Sequence, residues 1–256
     1  MSYYADLNHF KGTSGYEIDG VWYPRVTKIV EIKAKPALYK FYSELNSFSE
    51  GESVKKLSAD EGTLIHSTIE AILLNKNPEI PLSIEASISA FFSFLEKTHI
   101  QVDTEFIEKR VINFPERYAG TIDSLALIDG KFGILDIKTS QAIYRDYNLQ
   151  TSAYMAALQN SPAIPQTRWI LRLDQLKTCL RCGSTLRQKG GRDKIRPPKV
   201  KNGTDYSLCV HEWSEMAGVA ELQEFPYWKD DYSAFLGAKR LWEWENEYWL
   251  KKAKYI

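Results

Sequence analysis

The sequence predicts an α/β fold, a central mixed β-sheet flanked by helices, on three observations. Asp129-Gly130 joins two strand-like runs, Arg117–Ile128 and Lys131–Thr139, and is the strongest hairpin signal in the chain. Ile65, Ile69 and Ile72 recur at i, i+4 and i+7, marking a helix with one apolar stripe. Arg168-Trp-Ile-Leu-Arg-Leu173 alternates as a further strand does, after another helix.

The elements follow in order. The opening stretch to Pro24 is polar and rich in Gly and Tyr, with Asp19-Gly20 turning the chain into a short strand, Val21-Trp-Tyr23. Pro24–Ile32 leads towards a helix at Pro36–Leu45, and Asn46–Ser53 reads as a polar loop. A helix over Ser58–Leu74 ends before Asn75-Lys-Asn-Pro78, and Ser83–Thr98 carries Ile84, Ile88, Phe91, Phe92 and Leu95 at helical spacing. Strands are expected at Thr104–Phe114, Arg117–Ile128 and Lys131–Thr139, then a helix at Asp146–Gln159 that Ser161-Pro-Ala-Ile-Pro165 stops. After the strand Thr167–Asp174, Cys179–Cys209 reads as a loop-rich insertion. An amphipathic helix over Tyr232–Lys252 then carries Trp242, Trp244 and Trp249. There is no internal repeat.

At 256 residues, 44% hydrophobic and 13% aromatic, the chain can bury a core and is read as one domain over 1–256 with an inserted module at 177–211. Lys+Arg and Asp+Glu both number 33, so net charge does not point to nucleic acid. Distribution does: Lys177–Lys201 holds nine basic residues and one acid, Asp193, whereas Glu212–Glu247 is predominantly acidic. Three cysteines are too few for a disulfide framework. No signal peptide is read at the N-terminus, and no apolar run approaches a membrane span. The expectation is an intracellular or cytoplasmic protein with reduced thiols free to bind metal and no membrane partner.

Asp123, Asp136 and Lys138 carry the chemistry. Side chains alternate along a strand, so Asp136 and Lys138 share a face while Leu135 and Ile137 take the other. The hairpin sets Asp123 on the neighbouring strand. Three charges aimed at one buried face are costly without a ligand, and a Mg²⁺ or Mn²⁺ ion between the carboxylates removes that cost. Such an ion acidifies bound water and stabilises charge on a scissile phosphate, and Lys138 either positions or activates the water or stabilises the developing charge.

Four motifs in order complete the picture: Gly62-Thr-Leu-Ile-His66, Gly120-Thr-Ile-Asp123, Asp136-Ile-Lys138 and Gln150-Thr-Ser-Ala-Tyr154. Together they resemble the PD-(D/E)XK nuclease superfamily, in its RecB-like exonuclease branch, over about Gly62–Leu158, with a weaker echo in Tyr23-Pro-Arg-Val-Thr-Lys-Ile29. Asp136-Ile-Lys-Thr-Ser140 and Gln150–Tyr154 are also similar to the mitochondrial genome-maintenance exonucleases and their phage and bacterial relatives. The resemblance implies a restriction-endonuclease-like core. It also implies metal ligation by His66, Asp123, Asp136 and the Ile137 carbonyl, with Lys138 as the catalytic lysine. Gln150 and Tyr154 would support the lysine or orient substrate phosphate. Glu70, one turn beyond His66, either joins a second metal, orients the imidazole, or is an exposed acid.

The implied function is a metal-dependent deoxyribonuclease, an exonuclease on single-stranded or end-containing DNA, working with replication, recombination or repair proteins. Two alternatives share the resemblance: an inactive DNA-binding or repair accessory module, and a structure-specific endonuclease. A carboxylate-pair glycosidase is the competing chemistry, and Lys138 speaks against it.

In the inserted module, Cys179-Leu-Arg-Cys182-Gly is a zinc-knuckle pattern, and Cys209-Val-His211 can complete a Cys₃His shell for structural Zn²⁺. Its Cys-x-His spacing is tighter than usual, which leaves open a shell completed by another residue in place of Cys209, and buried free thiols are the plain alternative. With three cysteines, none before the nuclease motifs, an iron–sulfur cluster is not expected. Arg187, Lys189, Arg192, Lys194, Arg196, Lys199 and Lys201 form a basic flexible loop, read as gripping DNA phosphates or else as a solvated charge run.

Overall fold

The computed structural model describes residues 4–162, 164–198 and 206–256. Helix α1 (Leu7–Ser14) starts at Asp6, whose side chain accepts the His9 N–H, and leads into a hairpin of β1 (Gly15–Ile18) and β2 (Val21–Pro24). Asp19 and Gly20 form its turn in the left-handed region, at φ 50° and 74°. Helices α2 (Val26–Val30), α3 (Pro36–Ser43), α4 (Phe48–Leu73) and α5 (Glu85–Lys97) follow, then β3 (Ile100–Val102), β4 (Lys109–Asn113), β5 (Tyr118–Ile122), β6 (Ser124–Ile128) and β7 (Lys131–Lys138). The chain continues through α6 (Asp146–Ala157), β8 (Thr167–Thr178), β9 (Thr185–Lys189), β10 (Arg192–Arg196), β11 (Ala217–Glu224), α7 (Lys229–Glu245) and α8 (Glu247–Lys252).

Among the described residues, seven strands form one mixed sheet in the order β10-β9-β8-β7-β6-β3, with β11 also pairing β8. Strands β7 and β8, joined through α6, run parallel; the other pairs in the sheet are antiparallel. Each face of the sheet has its own core. Phe10, Trp22, Ile134, Tyr154, Phe235 and Trp242 pack on the side of α1, α6 and α7. Ile65, Ile69, Ile88, Phe91, Leu135, Ile137 and Leu171 pack on the side of α4 and α5. Arg168 of β8, fully buried, ties the first side together by donating to the carbonyls of Asn148, Phe225 and Tyr227 and pairing with Asp231. Among the described residues, no helix is long and apolar enough to cross a membrane.

Several elements differ from expectation. Helix α4 begins at Phe48 rather than Ser58, so the expected loop at Asn46–Ser53 is mostly helical. Ser47 Oγ accepts the Glu50 N–H at 3.1 Å while the Glu50 carboxylate accepts the Asn46 N–H at 3.1 Å, a reciprocal cap that outweighs the polar composition. The expected strand Thr104–Phe114 is a 3₁₀ turn followed by the shorter β4. Arg117–Ile128 is two strands broken at Asp123: β5 pairs β4 in a separate two-stranded sheet, while β6 pairs β7. The break has a local cause. The Asp123 carboxylate accepts the Ile137 N–H at 2.6 Å, and its carbonyl accepts the Glu108 N–H at 2.9 Å.

Cys179–Cys209 is not loop-rich throughout. It contains the β9–β10 hairpin, which continues the main sheet from the end of β8. Strand β8 itself runs four residues beyond Asp174, with β11 along most of its length. The last helix begins at Lys229 and is interrupted at Asn246.

Candidate active site

Strand β7 shows the expected alternation. Leu135 and Ile137 enter the core against α4 and α5, whereas Asp136 and Lys138 lie on the face that carries Ile134. Lys138 Nζ stands 2.6 Å from Asp136 Oδ2 and 5.3 Å from the Tyr147 ring centre. Asp136 is 1% exposed, so it is a buried carboxylate held by one cation. Gln150 Nε2 approaches Asp136 Oδ1 at 3.4 Å and donates to the Tyr154 hydroxyl at 2.9 Å.

Tyr154 is itself buried, and its ring fills the space over Gly120. A β-carbon at residue 120 would lie 2.3 Å from Tyr154 Cε1. The glycine of the Gly120–Asp123 motif and the tyrosine of the Gln150–Tyr154 motif therefore meet one packing requirement. Tyr154 acts on Asp136 through Gln150 and does not face the site's opening. Gly62 plays a similar part, bringing α4 close to the Thr139 hydroxyl that follows Lys138.

His66 comes in from α4, with Nδ1 3.8 Å from Asp123 Oδ2. A third donor, Glu108, joins them: His66, Glu108 and Asp123 each present a ligand atom within 4.8 Å of the others. Glu108 was not expected. It precedes β4 in the left-handed region, at φ 49°, and its N–H is fixed by the Asp123 carbonyl. The motifs give no sign of it, because its position depends on the break at Asp123. Glu70 lies near enough to raise the Glu108 carboxyl but is not among the three close donors. Asp136 also lies outside that trio, turned to Lys138 and Gln150.

The electrostatics are those of crowded acids. Burial holds the Asp123 carboxyl above its usual range despite Lys138 and the Ile137 N–H. Burial, with Asp123 adding to it, pushes Asp136 up to about 6 against the pull of Lys138. Glu108 rises to about 7 through burial and the neighbouring charges of Asp123, Glu70 and Asp136. Burial, reinforced by Lys138, lowers His66 to about 4, so its imidazole is neutral at pH 7 and offers a lone pair. Burial works against the Lys138 charge, but Asp136 and Asp123 outweigh it and hold the ammonium above its ordinary value. One neutral imidazole beside mutually repelling carboxylates is a donor set for a divalent cation of the Mg²⁺ or Mn²⁺ type.

A cleft of about 930 Å³ opens beside this centre. Gln150 and Tyr147 line it together with Lys33, Arg145, Lys194 and Arg196, and Phe41 and Tyr144 add aromatic faces. The basic residues are not a loose loop. Arg187 binds both Asp174 carboxylate oxygens, at 2.7 and 2.9 Å. Lys189 Nζ donates to the Thr139 carbonyl at 2.6 Å, one residue past Lys138. Arg192 pairs with Glu44 at 3.5 Å, and Arg196 donates to Gln141. Lys194 lines the cleft; Lys199 and Lys201 lie outside the described residues. Cys179, Cys182, Cys209 and His211 come together in one cluster at the far end of β8.

Compared with known proteins, the chain matches no protein-family profile and no curated protein.

Proposed function

We propose that this chain is a metal-dependent deoxyribonuclease that hydrolyses phosphodiester bonds, acting as an exonuclease on single-stranded or end-containing DNA. One observation carries the reading: His66, Glu108 and Asp123 converge beside the Asp136–Lys138 ion pair at the edge of a cationic cleft. Three of the four motifs that resemble RecB-like nucleases supply all of these residues but Glu108, from α4, the β5–β6 break and β7, and the fourth, on α6, sets Gln150 beside Asp136.

His66, Glu108, Asp123 and Asp136 would hold a Mg²⁺ or Mn²⁺ ion, which supplies an acidified water and charge neutralisation at the scissile phosphate. Asp123 is fixed by the Ile137 N–H, which keeps one of its oxygens in place without a protein cation. Gln150, held by Tyr154, fixes Asp136. Lys138 carries a proton in this setting, so its role is to orient the nucleophile and offset charge at phosphorus rather than to remove a proton. Phe41, Tyr144 and Tyr147 offer faces on which unpaired bases stack, and Lys194 and Arg196 meet the backbone, while Lys33 is paired with Asp146; the aromatic faces favour a single strand in the cleft.

The test compares linear and covalently closed circular DNA, single- and double-stranded, with Mg²⁺ or Mn²⁺. Degradation of linear single strands with circles intact is the expected result. Cutting of closed circles would replace the exonuclease by an endonuclease, and no cleavage of any substrate with either metal would leave only an accessory binding role.

A further inference from the structure

We infer that Cys179, Cys182, Cys209 and His211 form a structural Zn²⁺ site that anchors the basic β9–β10 hairpin against the cleft, whether or not the neighbouring centre cleaves DNA. All four residues present a ligand atom within 4.8 Å of one another. Their spacing is that of a single tetrahedral ion. Zn–S bonds of about 2.3 Å at tetrahedral angles place two sulfurs about 3.8 Å apart, and a Zn–N bond of about 2.0 Å places sulfur and nitrogen about 3.5 Å apart. Cys179 Sγ and Cys209 Sγ are 3.9 Å apart, and Cys182 Sγ lies 3.5 Å from His211 Nδ1. The first distance is far beyond a disulfide bond of about 2.05 Å. An iron–sulfur cluster, with sulfide-bridged irons inside its ligand ring, needs thiolates more widely spread.

The backbone is shaped for the same purpose. Gly183 takes φ 74°, letting the chain turn back so that its N–H donates to the Cys179 carbonyl at 2.9 Å. The Cys179 N–H donates to Ser184 at 2.7 Å, and the Leu180 N–H donates to Glu212 at 2.8 Å, joining the knuckle to the segment that carries His211. Trp213 bridges to Cys179 and tilts its ring against His211 at 4.6 Å between centres. Four soft or borderline donors with no fifth position for substrate describe a closed, structural shell.

The placement explains what the site is for. Its ligands straddle the hairpin in sequence: Cys179 and Cys182 precede β9, and Cys209 and His211 follow β10. Only two residues of β8, Lys177 and Thr178, pair with β9, so the sheet alone holds the hairpin weakly at its base. At the other end the Gly190-Gly191 turn rests on α4, where a β-carbon at residue 190 would lie 2.5 Å from the Val54 carbonyl. Between these ends, Arg187 meets Asp174 and Lys189 meets the Thr139 carbonyl, beside Lys138. Fixing both ends of the inserted segment on one ion holds that cationic strand pair over the cleft.

The experiment measures metal content by atomic emission in the full-length protein purified with zinc present, and amide exchange over 185–196 before and after a strong chelator. About one zinc per chain in the parent is expected, lost in Cys182→Ser and retained in His211→Cys, which keeps four ligands. Exchange over 185–196 is expected to accelerate at least tenfold on zinc removal while the α5 amides are unchanged. A parent protein that carries no zinc, or carries iron instead, overturns the site. Unchanged exchange over 185–196 after zinc leaves overturns the anchoring.

Discussion

Replacing Gly120 by alanine tests the link between the strand motif and the helix motif. The added β-carbon would stand 2.3 Å from Tyr154 Cε1 and 3.2 Å from Cδ1 and Cζ, against an ordinary contact of 3.4 Å or more. The ring must therefore retreat by about 1 Å, or β5 must shift, and Tyr154 is buried in the core, where packing is close. Overpacking of this kind costs about 1–3 kcal/mol, and for a chain of this size each kcal/mol lowers Tm by roughly 2–4 °C, so a fall of roughly 2–12 °C is expected. The displaced ring carries the partner of Gln150, and with it the support of Asp136; misplacement by about 1 Å costs on the order of 100-fold in rate. Thermal melting and DNA cleavage are measured in parallel. Gly237→Ala in α7 serves as the control, because nothing lies within 4 Å of its β-carbon and helix propensity favours alanine by up to about 1 kcal/mol. If Gly120→Ala melts within a degree of the parent and cleaves normally, the packing argument is refuted.

Glu108→Gln separates metal binding from stability. Its carboxyl is raised from 4.5 to about 7, so in the folded parent the group holds its proton more tightly and its contribution to stability falls as pH rises between those values. The full shift would correspond to about 3 kcal/mol, but Glu108 stands at the exposed rim and solvent screening reduces the effect to about 1 kcal/mol. In chelator, the variant should be more stable than the parent at pH 8 by that amount, and the two should converge at pH 5. With Mn²⁺ the order should reverse, because the parent gains more from the ion; a larger Mn²⁺-induced shift in the variant would remove Glu108 from the ligand set. Lys194→Ala with Arg196→Ala should weaken single-stranded DNA binding and flatten its log–log salt dependence by about 0.7 per lost phosphate contact, measured by fluorescence anisotropy. An unchanged slope would place the strand elsewhere.

Those motif residues whose placement is bound to local geometry were legible in the sequence. Asp136 and Lys138 share a face because strand side chains alternate, and His66 follows Gly62 by one helical turn. What escaped was decided by contacts across the fold. Glu108 looks like one more residue of a strand until Asp123 interrupts its neighbour and captures its N–H. Gln150 and Tyr154 were visible as a pair, but that Tyr154 reaches Asp136 only through Gln150 follows from the ring's burial over Gly120. The early start of α4 had a local signal, the Ser47–Glu50 cap, masked by the polar run around it. The basic hairpin read as a loop because its two strands are short and glycine-joined, β10 is largely exposed, and β9 is covered through polar contacts of Arg187 and Lys189 rather than through an apolar face that the sequence would show. The pairing of Cys179 with Cys182 was legible from spacing, since a knuckle's geometry is set within a few residues, whereas the arrival of Cys209 and His211 beside them depends on the path of the chain around the hairpin.

Lys138 is the most direct test of the central claim, because in the proposed mechanism it is the group that separates a phosphodiester-cleaving site from any other carboxylate metal site. The measurement is cleavage of linear single-stranded DNA by parent and Lys138→Ala, each with Mn²⁺ and with chelator, alongside melting curves for both proteins. The account predicts cleavage by the parent that chelator abolishes, and a loss of at least about 100-fold in Lys138→Ala with cooperative unfolding retained. Full cleavage by Lys138→Ala, or cleavage by the parent undiminished in chelator, would contradict it.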